Sequence, residues 1–216
     1  MDIQILAQKF YDYSTYIKGY AKPTLRRYRQ VINFFCNFAK VTEIEQVTPD
    51  NVRALFYYGR TERHWSANSF IGHHKTLCVF FRWCIQEKYM LPPNPTDDIE
   101  IPKLEKHLPV RLNKQQAHRI LEVSYNYPYH SRFTRCRNHA IFATFLLAGL
   151  RKQELLNLKL ADVDLQNLSI FVYQGKGSKD RIVPMSYKLA ESLKRYLEER
   201  KRLHKTCPEF FCQHPV

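Results

Sequence analysis

No stretch of these 216 residues is apolar for long enough to cross a bilayer, and the N-terminus MDIQILAQKF carries an early acid without a basic flank. Neither a membrane span nor a secretory leader is expected, and the sequence reads as a cytoplasmic protein. The six cysteines (Cys36, Cys78, Cys84, Cys136, Cys207 and Cys212) contain no Cys-x-x-Cys pair and no zinc-ligand spacing. They read as reduced, mostly core thiols, with Cys207 and Cys212 exposed near a chain end. His73 and His74 are adjacent, so they cannot share a helix face at metal-ligand spacing, and at least one should be solvated or face a partner. No metal site is expected, and no internal repeat or low-complexity segment appears.

Acidic residues are also in short supply. Asp and Glu number 20 against 34 Lys and Arg, a formal charge of +14. The imbalance is local: residues 1–100 hold 13 basic against 10 acidic side chains, residues 101–216 hold 21 against 10. Such a surplus calls for an acidic partner, nucleic acid first among them. Hydrophobic content of 44% is ordinary for a globular chain of one large domain or two small ones.

What is present in the first half is helical periodicity. Ile3, Leu6, Phe10, Tyr13 and Ile17 make one stripe, ending near Gly19. Leu25, Tyr28, Ile32, Phe35 and Phe38 make a second behind Pro23, with Arg26, Arg27, Arg29 and Asn33 off it. Thr48–Pro49 opens a third helix, and Ser66 caps a fourth that carries Phe70, Leu77, Phe80, Phe81, Trp83 and Cys84. The aromatics follow 3.6 residues per turn, so they read as core. Residues 91–112 then bring five prolines and a basic end, an extended linker. Beyond it, Asn113 caps a helix, another runs from about Arg137 to Leu147, and Gly149 stops it.

The stretch from Ala148 to Met185 holds the chemistry. Arg151 follows a Gly-Leu pair, and a short helical run leads to Asp162–Val163–Asp164 and a strand, Leu168 to Tyr173. A basic loop, Gly175–Lys176–Gly177–Ser178–Lys179, precedes a return strand from Arg181 to Pro184, and Ser186 caps a last amphipathic helix. In order and content this resembles the front half of the catalytic domain of tyrosine recombinases, the integrases and Xer-type enzymes that break and rejoin DNA. The linker pairs Asn94–Pro95, Pro102–Lys103 and Leu108–Pro109, and the opening Thr24–Leu25–Arg26–Arg27–Tyr28, are similar to the family's as well.

The resemblance implies a mainly α fold. Residues 1–90 would form a four-helix, SAM-like core-binding domain, 91–112 a proline-rich linker, and 113–216 the N-terminal part of a mixed α/β catalytic domain with a small antiparallel sheet. It implies that Arg151 binds the scissile phosphate and that Lys176 protonates the leaving 5′ oxygen, with no metal or nucleotide cofactor. Arg26, Arg27, Lys75, Arg82, Lys103, Lys106, Lys179 and Arg181 are the expected DNA contacts, and Glu154 a structural partner of the first arginine. Double-stranded DNA is the expected partner, and the site of action is the nucleoid. Complete family members assemble as tetramers on DNA.

One part of the family pattern is not found. None of the nine histidines is followed by an arginine three residues on, so none of the fourteen tyrosines sits downstream of a His-x-x-Arg motif. The expectation is a chain that grips DNA without completing strand exchange, that lacks the usual C-terminal route to a tetramer, and that is marginally stable or prone to self-association. A non-catalytic DNA-binding regulator is the alternative. A general basic adaptor lacks support, since no RNA-binding motif or basic tail is present.

Overall fold

The computed structural model describes residues 1–104, 110–173 and 180–212. The chain divides into two units, Met1–Leu108 and Pro109–Val216. The fold is mainly helical with one small antiparallel sheet, as the sequence implied.

The first unit contains α1 (Ile3–Asp12), α2 (Lys22–Ala39), α3 (Pro49–Thr61) and α4 (Ala67–Gln86). Each start has a local cause. Asp2 accepts hydrogen bonds from the backbone N–H of Gln4 and Ile5, and Thr48 and Ser66 do the same for Asn51 and Ser69. The first helix runs on past α1 as a π-helical turn, Tyr13–Ile17, and Gly19 lies beyond it at φ +62°. Leu6, Phe10, Ile32, Phe35, Leu55, Leu77, Phe80 and Phe81 are fully buried between the four helices. Phe10 meets Phe80, and Phe35 meets Phe81, edge to face at 5.4 and 5.7 Å. Each such side chain contributes about 1.5–3 kcal/mol; of the stripes read as core, Tyr13, Tyr28 and Phe38 are partly buried against this cluster and Ile17, in the π-helical turn, is exposed.

The proline-rich stretch is anchored where it leaves α4. Asn94 donates to the Cys78 carbonyl at 3.0 Å and accepts from both the backbone N–H and the hydroxyl of the buried Thr96. His74 donates through Nε2 to the Thr96 carbonyl at 3.2 Å, and Ile99 packs on the core. His74 is thus a structural tie.

In the second unit, α6 (Arg132–Ala148) packs against α5 (Lys114–Asn126), α8 (Tyr187–Arg202) and α7 (Lys152–Leu156), and Ile170 and Val172 share one core with Leu189 and Leu193 of α8. Asn113 and Gln116 cap α5 reciprocally, and Ser186 caps α8. Helix α6 begins five residues before the expected Arg137. Ser131 caps it, and its first turn is polar except for Phe133, which is buried against Tyr196 of α8. Strands β1 (Val163–Asp164), β2 (Ser169–Val172) and β3 (Arg181–Pro184) form an antiparallel sheet in that order, with Val172 opposite Arg181.

Residues 203–212 return over α8. Buried Arg200 donates to the carbonyls of Lys205, Cys207, Glu209 and Phe210, while the Tyr196 hydroxyl donates to Phe210 and accepts from the Cys212 N–H. The returning segment pairs with residues 158–160, and Phe210 is fully buried. This return corrects the reading of the cysteines. Cys207 and Cys212 are not free thiols but a disulfide, and Cys212 is buried. They lie five apart, a separation outside the Cys-x-x-Cys and zinc spacings sought in the sequence. The other four cysteines are free, and Cys36, Cys84 and Cys136 are buried. Among the described residues no helix is long and apolar enough to cross a membrane.

Candidate functional site

Helix α6 stops because Gly149 takes φ +62°, a left-handed conformation that glycine adopts without the cost a side chain would add. Leu150 then turns into the core, and Arg151 takes the cap position of α7. The arginine therefore sits between two fixed points, a buried leucine and a helix start.

Glu154, three residues on, is the hub. Its carboxylate accepts from the Arg151 backbone N–H and the Arg151 Nη1, each at 2.8 Å. It also accepts a two-pronged pair from Arg181 Nη1 and Nη2, both at 2.8 Å. Arg181 is the first residue of β3, so closing the sheet delivers a second guanidinium to the start of α7. The Glu154 side chain is 7% exposed, against 58% for Arg151 and 36% for Arg181. The Arg181 guanidinium, with help from Arg151, holds the carboxyl down to about 2, so it is ionised at any physiological pH.

Two guanidiniums on one carboxylate leave a net positive charge. Among the described residues Arg151 uses one of its five N–H donors on Glu154 and turns the rest toward solvent. An exposed guanidinium tied to Glu154 suits a planar oxyanion such as a phosphodiester, and the tie limits the reorganisation needed to bind one.

The expected site residues fall into three groups. Arg151 and Arg181 are brought together, a junction the sequence did not reveal, and Glu154 is the structural partner it was expected to be. Arg26 and Arg27 lie exposed on α2, Lys75 and Arg82 exposed on α4, and Lys103 exposed beyond it, all in the first unit. Lys106, Lys176 and Lys179 lie outside the described residues, although the two strands that flank Lys176 and Lys179 are in register. Among the described residues no group of His, Cys, Asp or Glu is placed to hold a metal ion.

Comparison with known proteins decides the family. Residues 110–214 match the phage integrase family, and residues 6–90 match the phage integrase N-terminal SAM-like domain. The chain belongs to the tyrosine recombinase, or phage integrase, family. The tyrosine recombinase XerC of Thermodesulfovibrio yellowstonii is 36% identical over 186 residues, covering 86% of this chain and 59% of the relative. A second XerC protein, from Ralstonia nicotianae, is 32% identical over 86% of this chain and 54% of its own length. The chain thus spans between about half and three fifths of these two curated relatives. Among solved structures, a lambda integrase dimer bound to a COC′ core site superimposes with a TM-score of 0.71, at 17% identity. The match covers 99% of this chain and 74% of that one. The Tn1549 transposon integrase in complex with transposon right end DNA gives 0.71 over 93% of this chain and 66% of its own, also at 17% identity. At that identity the likeness is one of fold.

Proposed function

We propose that this chain binds duplex DNA and holds a backbone phosphate at Arg151, as the front half of a recombinase active centre. The observation that carries this reading is the Arg151–Glu154–Arg181 cluster: two guanidiniums on a buried, ionised carboxylate, with Arg151 turned outward. Residues 1–90 grip the duplex through Arg26, Arg27, Lys75 and Arg82, and residues 91–112, with Lys103 and Lys106, follow its backbone to the catalytic part. In strand cleavage a tyrosine hydroxyl loses its proton and attacks phosphorus, the bond to the 5′ oxygen breaks, and that oxygen leaves with a proton. Arg151 stabilises the extra charge on the pentacoordinate phosphorus, and Lys176 delivers the proton to the departing oxygen. None of the nine histidines is followed by an arginine three residues on, so no His-x-x-Arg and no nucleophilic tyrosine is assigned to this step here.

The lack of any His-x-x-Arg here favours a second reading, a DNA-binding regulator that occupies recombination sites without cutting them. Both readings are tested by titrating labelled duplex with the chain across a salt series, followed by a denaturing gel. The expected result is binding whose log K falls linearly with log salt, with no covalent adduct. Arg151→Ala should weaken binding without changing the helical content. Binding indifferent to salt would overturn the DNA reading, and a covalent adduct would show that one of the fourteen tyrosines is the nucleophile despite the lack of a His-x-x-Arg.

A further inference from the structure

A second cationic site lies in the first unit. Two helix glycines build it. Gly59 of α3 is buried, and a Cβ placed there would come within 2.2 Å of the Trp65 ring, so the missing side chain is what lets the indole lie against the helix. Trp65 in turn stacks on His73 at 3.9 Å and 18°, and Arg60 holds the Trp65 carbonyl at 2.5 Å. His73 is itself held through Nδ1, which donates to the Ser69 carbonyl at 2.8 Å. Gly72 of α4 is the other glycine. A Cβ there would sit 1.6 Å from Arg27 Nη2, so the Arg27 guanidinium occupies the space an alanine methyl would take.

The result is a pocket of about 430 Å³ lined by Arg27, Arg63, Trp65 and His73 and their neighbours, with no acidic side chain among them. Among the described residues neither the Arg27 nor the Arg63 guanidinium makes a hydrogen bond or ion pair. A surface arginine usually finds a carboxylate or swings freely in water. Here one is laid into a glycine notch beside a second, over an aromatic floor that is itself pinned. Two guanidiniums converging on a cavity without a counter-charge fit an anion with several acceptor oxygens.

We infer that this pocket seats one phosphate of the DNA backbone, with Arg27 and Arg63 as its donors and Gly72 as the residue that positions Arg27. The inference rests on the DNA-binding reading above and assigns a contact within it. Trp65 and His73, stacked on each other, line the same pocket. Of these, sequence reasoning had offered Arg27 as a DNA contact and one of His73 and His74 as solvated or facing a partner. Arg63 and the Gly72 notch have no sequence signature, because the pocket joins residues from α2, α4 and the segment before α4.

The test separates position from charge. Gly72→Ala leaves the net charge unchanged and favours the helix, yet it evicts the Arg27 guanidinium from its notch. With duplex DNA as the probe, Arg27→Ala and Arg63→Ala should each lower affinity about tenfold and reduce the slope of log K against log salt by about 1. Gly72→Ala should reproduce the Arg27→Ala loss, and the double variant should lose no more than Arg27→Ala alone. Unfolding curves confirm that each variant folds. If the parent chain binds with a salt slope while Gly72→Ala and Arg63→Ala bind like the parent, the pocket is not a phosphate site and the wider DNA reading stands. If the parent chain itself fails to bind, the wider reading falls and this inference falls with it.

Discussion

Replacing Glu154 by glutamine removes one charge and almost no volume, which isolates what the carboxylate does. Its carboxyl is lowered from 4.5 to about 2, chiefly by Arg181 and then by Arg151. At about 1.4 kcal/mol per pH unit, the ionised form contributes up to about 3 kcal/mol to the second unit at neutral pH. Both arginines are partly solvated, so screening reduces this to about 2 kcal/mol. Glutamine keeps one acceptor oxygen and turns an N–H₂ toward the guanidiniums, so most of that is lost. For a unit of roughly a hundred residues the melting temperature should fall by about 10 °C. The pH dependence gives the sharper check. A carboxylate with a depressed pKa stabilises the fold above its unfolded value and stops doing so as pH falls through the folded one. The gap between parent and Glu154→Gln should therefore be full at pH 7. It should shrink by roughly a quarter at pH 4 and by more than half at pH 3. Urea unfolding of both proteins at the three pH values measures it. An equal gap at pH 7 and pH 3, or none at pH 7, would refute the account of Glu154 as an ionised anchor for two arginines.

Two further outcomes follow from local geometry. A Cβ on Gly149 would meet nothing within 4 Å, so Gly149→Ala tests the φ of +62° alone; it should cost about 1–2 kcal/mol by urea unfolding. Because Arg151 is two residues on, the same variant should also weaken DNA binding, and a change in stability without a change in binding would mean the turn does not position Arg151. The Cys207–Cys212 disulfide closes a short loop, so the loop-entropy relation gives about 2 kcal/mol. Adding reductant should lower the urea midpoint of the parent chain but leave Cys207→Ser unmoved, and a midpoint that responds equally in both would show that the bond contributes nothing.

How far the sequence could be read depended on the range over which each interaction acts. Caps work within three residues. Thr48, Ser66, Asn113 and Ser186 each announced a helix that the structure starts at the next residue. The return strand Arg181–Pro184 was legible for a similar reason, since the strand before it and the basic loop bracket it. Failures began where a contact joins distant residues or where an element is too short to have a period. Strand β1 is two residues long and exists because it pairs with β2, so no alternation could mark it. The start of α6 was masked because Arg132, Thr134 and Arg135 surround the one buried apolar residue of its first turn. The disulfide depends on Arg200 and Tyr196 folding residues 203–212 back over α8, which no spacing rule contains.

The candidate site divides along the same line. Arg151 and Glu154 are neighbours on one helical turn, and their partnership was visible as Arg-x-x-Glu. Arg181 reaches the same carboxylate across 27 residues, through a sheet whose register fixes its place. In the sequence Arg181 was read as a DNA contact, with nothing to tie it to Glu154. Yet it makes the two-pronged contact, and it is the largest cause of the low carboxyl pKa. The Glu154 anchor is therefore built by the fold rather than by the motif. A substitution that slips β3 by one residue would turn Arg181 to the opposite face. It would strip Glu154 of its main partner while leaving Arg151, Glu154 and the whole recombinase motif untouched in the sequence.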